Sequence, residues 1–244
     1  MPSFQQGHLT TAPADLDVDW LAILPNGNSL PVLVEPQIMT PITRDCGESL
    51  VDVSLKFACL EAYRRAGWKN SCSGTHLREG VVRRLSNVES TLPDSFGLVL
   101  FDGWRPLELQ KELFEAAYRD STLPEGFLAP PNEDETVPPP HVSGGTVDLT
   151  LSYNGVALEL GTTFDSFIND AATAAFESVD SPVRRLRRLL CEAMWAQDFI
   201  VYSGEWWHFE YGTSRWASIR HCEGLYQRAV LVEDPQAPQD LLTL

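Results

Sequence analysis

From residue 121 to residue 145 the chain reads STLPEGFLAPPNEDETVPPPHVSGG, with six prolines and three glycines. Each proline removes a backbone donor and fixes φ, so no helix or central strand can run through this stretch. Regular elements must lie before it or after it, and the stretch itself must be a long loop or lid. Such loops are usually functional or disordered.

Before the break, LREGVVRRLSNVESTL (77–92) places its apolar residues near helical spacing and is stopped by Pro93 and Asp94. FGLVLFDGW follows, an apolar run bounded by Gly97 and Gly103 that reads as a buried strand ending at Asp102. From Pro106, LELQKELFEAAYRD reads as a second amphipathic helix with proline at its first turn. After the break, TVDLTL (146–151) alternates as a strand. The turn signal YNG and VALELG (156–161) complete a hairpin. Residues 182–197 form a third helix, and FIVYS with EWWHFEY (199–211) a final hairpin around Ser203-Gly204. Residues 1–50 read as loops and short strands, with apolar bursts at LAIL (21–24) and LPVLV (30–34), and residues 233–244 as a frayed tail. With no repeats and no flexible linker, the expectation is one α+β domain over 1–244, a small antiparallel sheet with helices packed on it.

Charge narrows the partners. Lys and Arg number 18 against 34 Asp and Glu, a formal charge of −16. Such a surface repels phosphate backbones and anionic membranes, so neither nucleic acid nor membrane is expected as a partner. No apolar run approaches the ~18–20 residues that span a bilayer, and the N-terminus lacks the pattern of a signal peptide. The five cysteines are scattered and form no C-x-x-C pair. They read as reduced thiols in a cytoplasmic protein, with no zinc ribbon or redox motif.

Of five histidines, His8 lies in the loose N-terminus, and His76 and His221 have no obvious partners. His141 and His208 remain. Asp148 follows His141 by seven positions, and Gly144-Gly145 allow a turn that aims both at one point. Val147, Leu149 and Leu151 then face the core, leaving Asp148 on the other face. Two histidines and one carboxylate are a common catalytic zinc set, with the fourth position open to water. Water activated by zinc still needs a base to take its proton, and Glu205, three residues before His208, is placed for it. A regular strand would point Glu205 and His208 to opposite faces, so an irregularity near residues 204–206 is expected. Arg105, between a buried strand and a proline-initiated helix, could polarise a carbonyl or hold an oxyanion. Taken singly, each residue has a plainer reading: His208 as packing, Arg105 as an ion-pair residue, Asp148 as a turn cap, Glu205 as a solvated acid. Trp104, Trp206 and Trp207 read as core. The four polar elements acquire meaning together and in order: Arg, His-x6-Asp, Glu-x-x-His.

That order resembles the VanX-type D-alanyl-D-alanine dipeptidases of peptidase family M15, within the zinc D,D-peptidase/Hedgehog-like superfamily. The resemblance rests on DGWRP (102–106), PPHVSGGTVDLT (139–150), GTTFD (161–165) and EWWH (205–208). It implies one zinc ion held by His141, Asp148 and His208, Glu205 as general base and acid, and Arg105 as transition-state stabiliser. It implies Asp165 beside the substrate ammonium, where a turn-capping aspartate is the plainer reading. It further implies hydrolysis of a small D,D-dipeptide, in cell-wall dipeptide turnover or glycopeptide resistance. The chain departs from the family at Pro139, where a serine is usual, at Val147 in place of a small residue, and in 50–74, which lacks N-F-x-G. Two other readings use the same scaffold: a D,D- or L,D-carboxypeptidase trimming peptidoglycan stem peptides, and a non-catalytic zinc-stabilised binding module.

Overall fold

The structure, a computed structural model, describes residues 2–4, 7–119 and 128–231. In chain order its elements are α1 (Trp20–Ile23), β1 (Leu50–Asp52), β2 (Ala58–Cys59), α2 (Ala62–Ala66), β3 (His76–Arg78) and α3 (Glu79–Thr91). Then come β4 (Phe96–Asp102), α4 (Leu107–Ala117), β5 (Thr146–Tyr153), β6 (Val156–Ala157), α5 (Pro182–Trp195), β7 (Ile200–Val201), β8 (His208–Glu210) and α6 (Ser214–Arg220). The main sheet runs β2-β4-β5-β8-β7, with β6 also on β5, and β1 pairs β3 apart from it. The α+β expectation holds. The sheet is antiparallel except at its edge, where β2 runs parallel to β4.

Strand β5 is the axis. Its first seven residues are all buried, because α5 and the β4 and β8 neighbours cover it. Val147, Leu149 and Leu151 enter the hydrophobic core, as their alternation requires, and Thr146, Asp148 and Thr150 are buried on the opposite side. Thr150 satisfies its hydroxyl by donating to the Leu158 carbonyl at 2.8 Å. Arg187 of α5 is buried too, and it donates to the carbonyls of Leu160, Ala172 and Asp170 at 2.7–2.8 Å. It thereby ties the long 158–173 segment to the helix.

Several boundaries differ from the sequence reading, each for a physical reason. Residues 76–78 pair with β1, so α3 begins at Glu79 and Leu77 belongs to a strand. Strand β6 stops after two residues, because the chain then turns to bond Thr11: Thr11 N–H donates to Ala157 and Glu159 N–H to Thr11. The final hairpin keeps only β7 and β8 as strand. Trp206 and Trp207 are both fully buried, which adjacent residues of a one-sided strand cannot be, and residues 203–207 turn instead. LAIL belongs to the short helix α1, and residues 30–34 form no strand; Val32 is 86% exposed there. Helix α6 lay outside the sequence reading. The break contributes a 3-10 turn, Pro140–Ser143, whereas 120–127 and the tail lie outside the described residues. The five cysteines are free, and no helix among the described residues is long and apolar enough to cross a membrane.

Gly145 leads into β5 where no side chain fits. A Cβ there would lie 2.6 Å from the Tyr211 carbonyl oxygen and 2.8 Å from the Tyr226 ring. Gly145→Ala is expected to lower stability by about 1–3 kcal/mol, the usual cost of overpacking. Denaturant unfolding measures it, and an unchanged midpoint would show that the strand entrance yields freely.

Candidate active site

Three separate segments deliver the metal-type side chains to one point. His141 sits on the 3-10 turn, which closes at Gly144 with φ +76°, a conformation that suits glycine. Its Nδ1 is 2.7 Å from the Gly103 carbonyl. A carbonyl can only accept, so Nδ1 is the donor there and Nε2 is left to face the cluster. That Nε2 lies 3.2 Å from Asp148 Oδ2. His208 opens β8 with the reverse orientation: its Nε2 is 2.9 Å from Glu210 Oε1, and its Nδ1 is 3.2 Å from Asp148 Oδ1. Glu210 is fully buried and also accepts from Thr213 Oγ1. Each imidazole therefore spends one nitrogen on an oriented acceptor and aims the other at Asp148.

These residues fit a divalent metal. One ligand atom from each of His141, Asp148 and His208 lies within 4.8 Å of the others. Two nitrogens and one carboxylate oxygen are the donor set zinc favours, and outer acceptors such as Gly103 and Glu210 orient the imidazoles. Asp148 Oδ1 is buried, with His208 Nδ1 at 3.2 Å but no well-aligned hydrogen bond. A buried carboxylate oxygen without a donor is costly unless a cation meets it.

Electrostatics around the cluster are strong. Burial opposes ionisation of Asp148, but His141 and His208 outweigh it and hold its carboxyl well below the usual range. Burial likewise disfavours the charged imidazole of His208, yet the carboxylates of Asp148 and Glu210 push it up to about 10. Glu210 is held down to about 2, burial being overcome by Arg215 and His208.

Glu205 reaches the cluster as the irregularity predicts. Two consecutive turns carry the chain through 203–207, and Glu205 Oε2 comes 3.6 Å from His208 Nδ1. Gly204 permits this fold, since a Cβ there would meet the Tyr202 ring at 3.0 Å. Burial pushes the Glu205 carboxyl up to about 7, with His208 pulling the other way. Arg105 is buried and anchored: Nη2 lies 2.8 Å from Asp102 Oδ2 and 3.5 Å from Asp148 Oδ2, and Nη1 donates to Gln110 at 3.3 Å. Asp165 lines the same cavity. Its φ of +56° is uncommon outside glycine, and its Oδ2 is buried and unpartnered. Burial, with Glu205 and Asp148 nearby, raises its carboxyl well above the usual range. The tryptophans are structural. Trp206 Nε1 donates to Thr162 Oγ1 at 2.9 Å, which locks the EWWH turn to the segment bearing Asp165.

The structure thus brings together all six residues singled out from sequence; His8, His76 and His221 do not line the cavity. Sequence reasoning missed Glu210, Asp102, Tyr202 and Arg215. Glu210 had a signal, because positions two apart on a strand share a face. Arg215 had none, since it follows a turn whose path depends on packing.

A family profile, Peptidase_M15, described as D-ala-D-ala dipeptidase, matches residues 73–224. The chain belongs to this family. The M15 assignment makes it a zinc metallopeptidase, and the matched span holds every residue of the cluster. A D-alanyl-D-alanine dipeptidase of Synechocystis sp. is 27% identical over 222 residues, 75% of this chain and 90% of that protein. A D-alanyl-D-alanine dipeptidase of Escherichia coli K12 is 27% identical over 162 residues, 66% of this chain and 78% of its own length. Among solved structures, a glutamate-to-alanine mutant of the vancomycin-resistance D,D-pentapeptidase VanY in complex with Zn(II) is 18% identical. It aligns over 78% of this chain and 90% of its own, with a TM-score of 0.41.

In the metal-free M15 chain His208 carries a proton at pH 7.5, since that pH lies below its raised value of about 10. A metal ion held by His208 would displace that proton. Zinc uptake is therefore expected to release about one proton. Calorimetry in buffers of different ionisation enthalpy measures the number, and a buffer-independent enthalpy would contradict the protonated state.

Proposed function

We propose that this M15 peptidase hydrolyses a small D,D-dipeptide such as D-alanyl-D-alanine, with His141, Asp148 and His208 holding one zinc ion. The observation that carries the reading is the convergence, in one cavity, of a buried His-Asp-His set and an elevated, buried Glu205. The curated relatives bearing the name D-alanyl-D-alanine dipeptidase support the substrate class. The cavity has a volume of about 190 Å³, below the roughly 300–1,000 Å³ of ordinary ligand pockets, which suits a substrate of two residues. The described residues are read as a single catalytic unit.

When bound, zinc supplies Lewis acidity that polarises a carbonyl and acidifies water. The chain's own residues do the rest. Glu205 takes a proton from the attacking water and passes one to the leaving amine; a value near 7 suits both directions of transfer. Arg105 cannot lose its charge in working conditions, and Asp102 and Gln110 hold its guanidinium in place for the developing oxyanion. Asp165 offers its unpartnered oxygen to the substrate ammonium, whose charge restores the carboxylate that burial disfavours. Trp206 and Trp207 are buried in the core and anchor the turn that carries Glu205.

Two outcomes test this. D-Ala-D-Ala is cleaved, a chelator abolishes the activity, and added zinc restores it; cleavage of a pentapeptide stem with free dipeptide untouched would replace the dipeptidase reading by a carboxypeptidase. Glu205→Ala keeps its zinc, measured by elemental analysis, while kcat falls by at least ~10²-fold. Near-normal turnover in that variant would remove Glu205 from the role of base.

A further inference from the structure

A dipeptide carries two charged ends, and the cavity has so far been given a partner for one of them. We propose that Arg215 binds the substrate's terminal carboxylate and so selects substrates whose second residue is the last. This rests on the dipeptidase reading.

Arg215 lies near the start of α6, and its side chain lines the same cavity as Glu205 and His208. It is only 12% exposed, yet neither Nε nor Nη1 has a hydrogen-bond partner. These two nitrogens are turned toward acidic neighbours at ion-pair distance: Glu210 Oε1 is 3.4 Å from Nε, and Glu35 Oε2 is 3.5 Å from Nη1. Both carboxylates are engaged elsewhere. Glu210 binds His208 and Thr213, and Glu35 accepts the Ser203 N–H at 2.8 Å. The guanidinium stacks 4.2 Å above the Tyr202 ring, which holds the fork in one plane. A guanidinium that lines a cavity and is braced on a ring is suited to a planar carboxylate.

Among the described residues that line the cavity, Arg105 is the other guanidinium. Arg105 is committed to Asp102, Asp148 and Gln110. Gln110 spends its amide on the Ala129 carbonyl at 2.6 Å. Pro130 and Pro140 line the cavity without backbone donors. Asp165 and Arg215 sit among different charged neighbours. Asp165 has Tyr63, Arg105, Asp148 and Glu205 around it, whereas Arg215 has Tyr202, Glu35, Glu210 and Glu205. The two share Glu205 alone. An ammonium beside Asp165 and a carboxylate beside Arg215 therefore leave the peptide bond between them, next to the base.

The test compares D-Ala-D-Ala with D-Ala-D-Ala amide, which differ only in the charge of that end. Wild-type enzyme is expected to favour the acid by about 10²-fold in kcat/KM, the scale of one buried charge-assisted pair. Arg215→Met, assayed at equal bound zinc, is expected to lose that preference to within about threefold, and Arg215→Lys to keep part of it. The same two ligands are titrated by calorimetry into zinc-loaded Glu205→Ala, where binding is read without turnover. Cleavage of D-Ala-D-Ala with no acid-over-amide preference, or an undiminished preference in Arg215→Met, overturns the assignment and leaves the dipeptidase reading intact. Tight binding of the acid over the amide without any wild-type turnover sinks the dipeptidase reading and sustains the anchor.

Discussion

One cross-strand row holds the site together. Asp148, the third residue of β5, is paired in register with Asp102 of β4 on one side and His208 of β8 on the other. A slip of one residue in either pairing would send Asp148 or its neighbour to the opposite face. The register is specified because the alternate residues of β5 are locked in the core. An irregularity in β4 between Leu100 and Asp102 adjusts the final pair, so Asp102 meets Asp148 while Leu100 and Phe101 both stay buried. Apolar packing thus places a polar cluster that packing alone would reject.

The cluster survives burial because its charges are matched. Asp102, Asp148, Glu205 and Glu210 share a small volume with Arg105, Arg215 and the two imidazoles. Removing one member of such a set leaves another charge stranded, which costs several kcal/mol. The atoms still lacking partners are Asp148 Oδ1, Asp165 Oδ2 and two nitrogens of Arg215. Those are the places where a cation, an ammonium and a carboxylate would be received.

Local chemistry was readable from the chain alone. The 146–151 alternation, the apolar run ending at Asp102, and the helix after Pro106 appear where their patterns placed them. His141 and Asp148 converge as Gly144 permits, and the 203–207 turn carries Glu205 back to His208. Less was readable where partners are distant. Residues 76–78 became strand because β1 lies beside them, and β6 ended early because Thr11 claimed its backbone. Neither partner is marked in the local pattern.

Residue types, their order, and the periodicity of the buried strands belong to the sequence by itself, because donor chemistry and hydrophobic spacing are local properties. Which nitrogen of each histidine faces inward was a tertiary matter, decided by the Gly103 carbonyl and the Glu210 carboxylate. So was the delivery of Arg215 to the cavity that Asp165 also lines. Distances between segments tens of residues apart follow from sheet register and close packing, which only the folded chain brings into being.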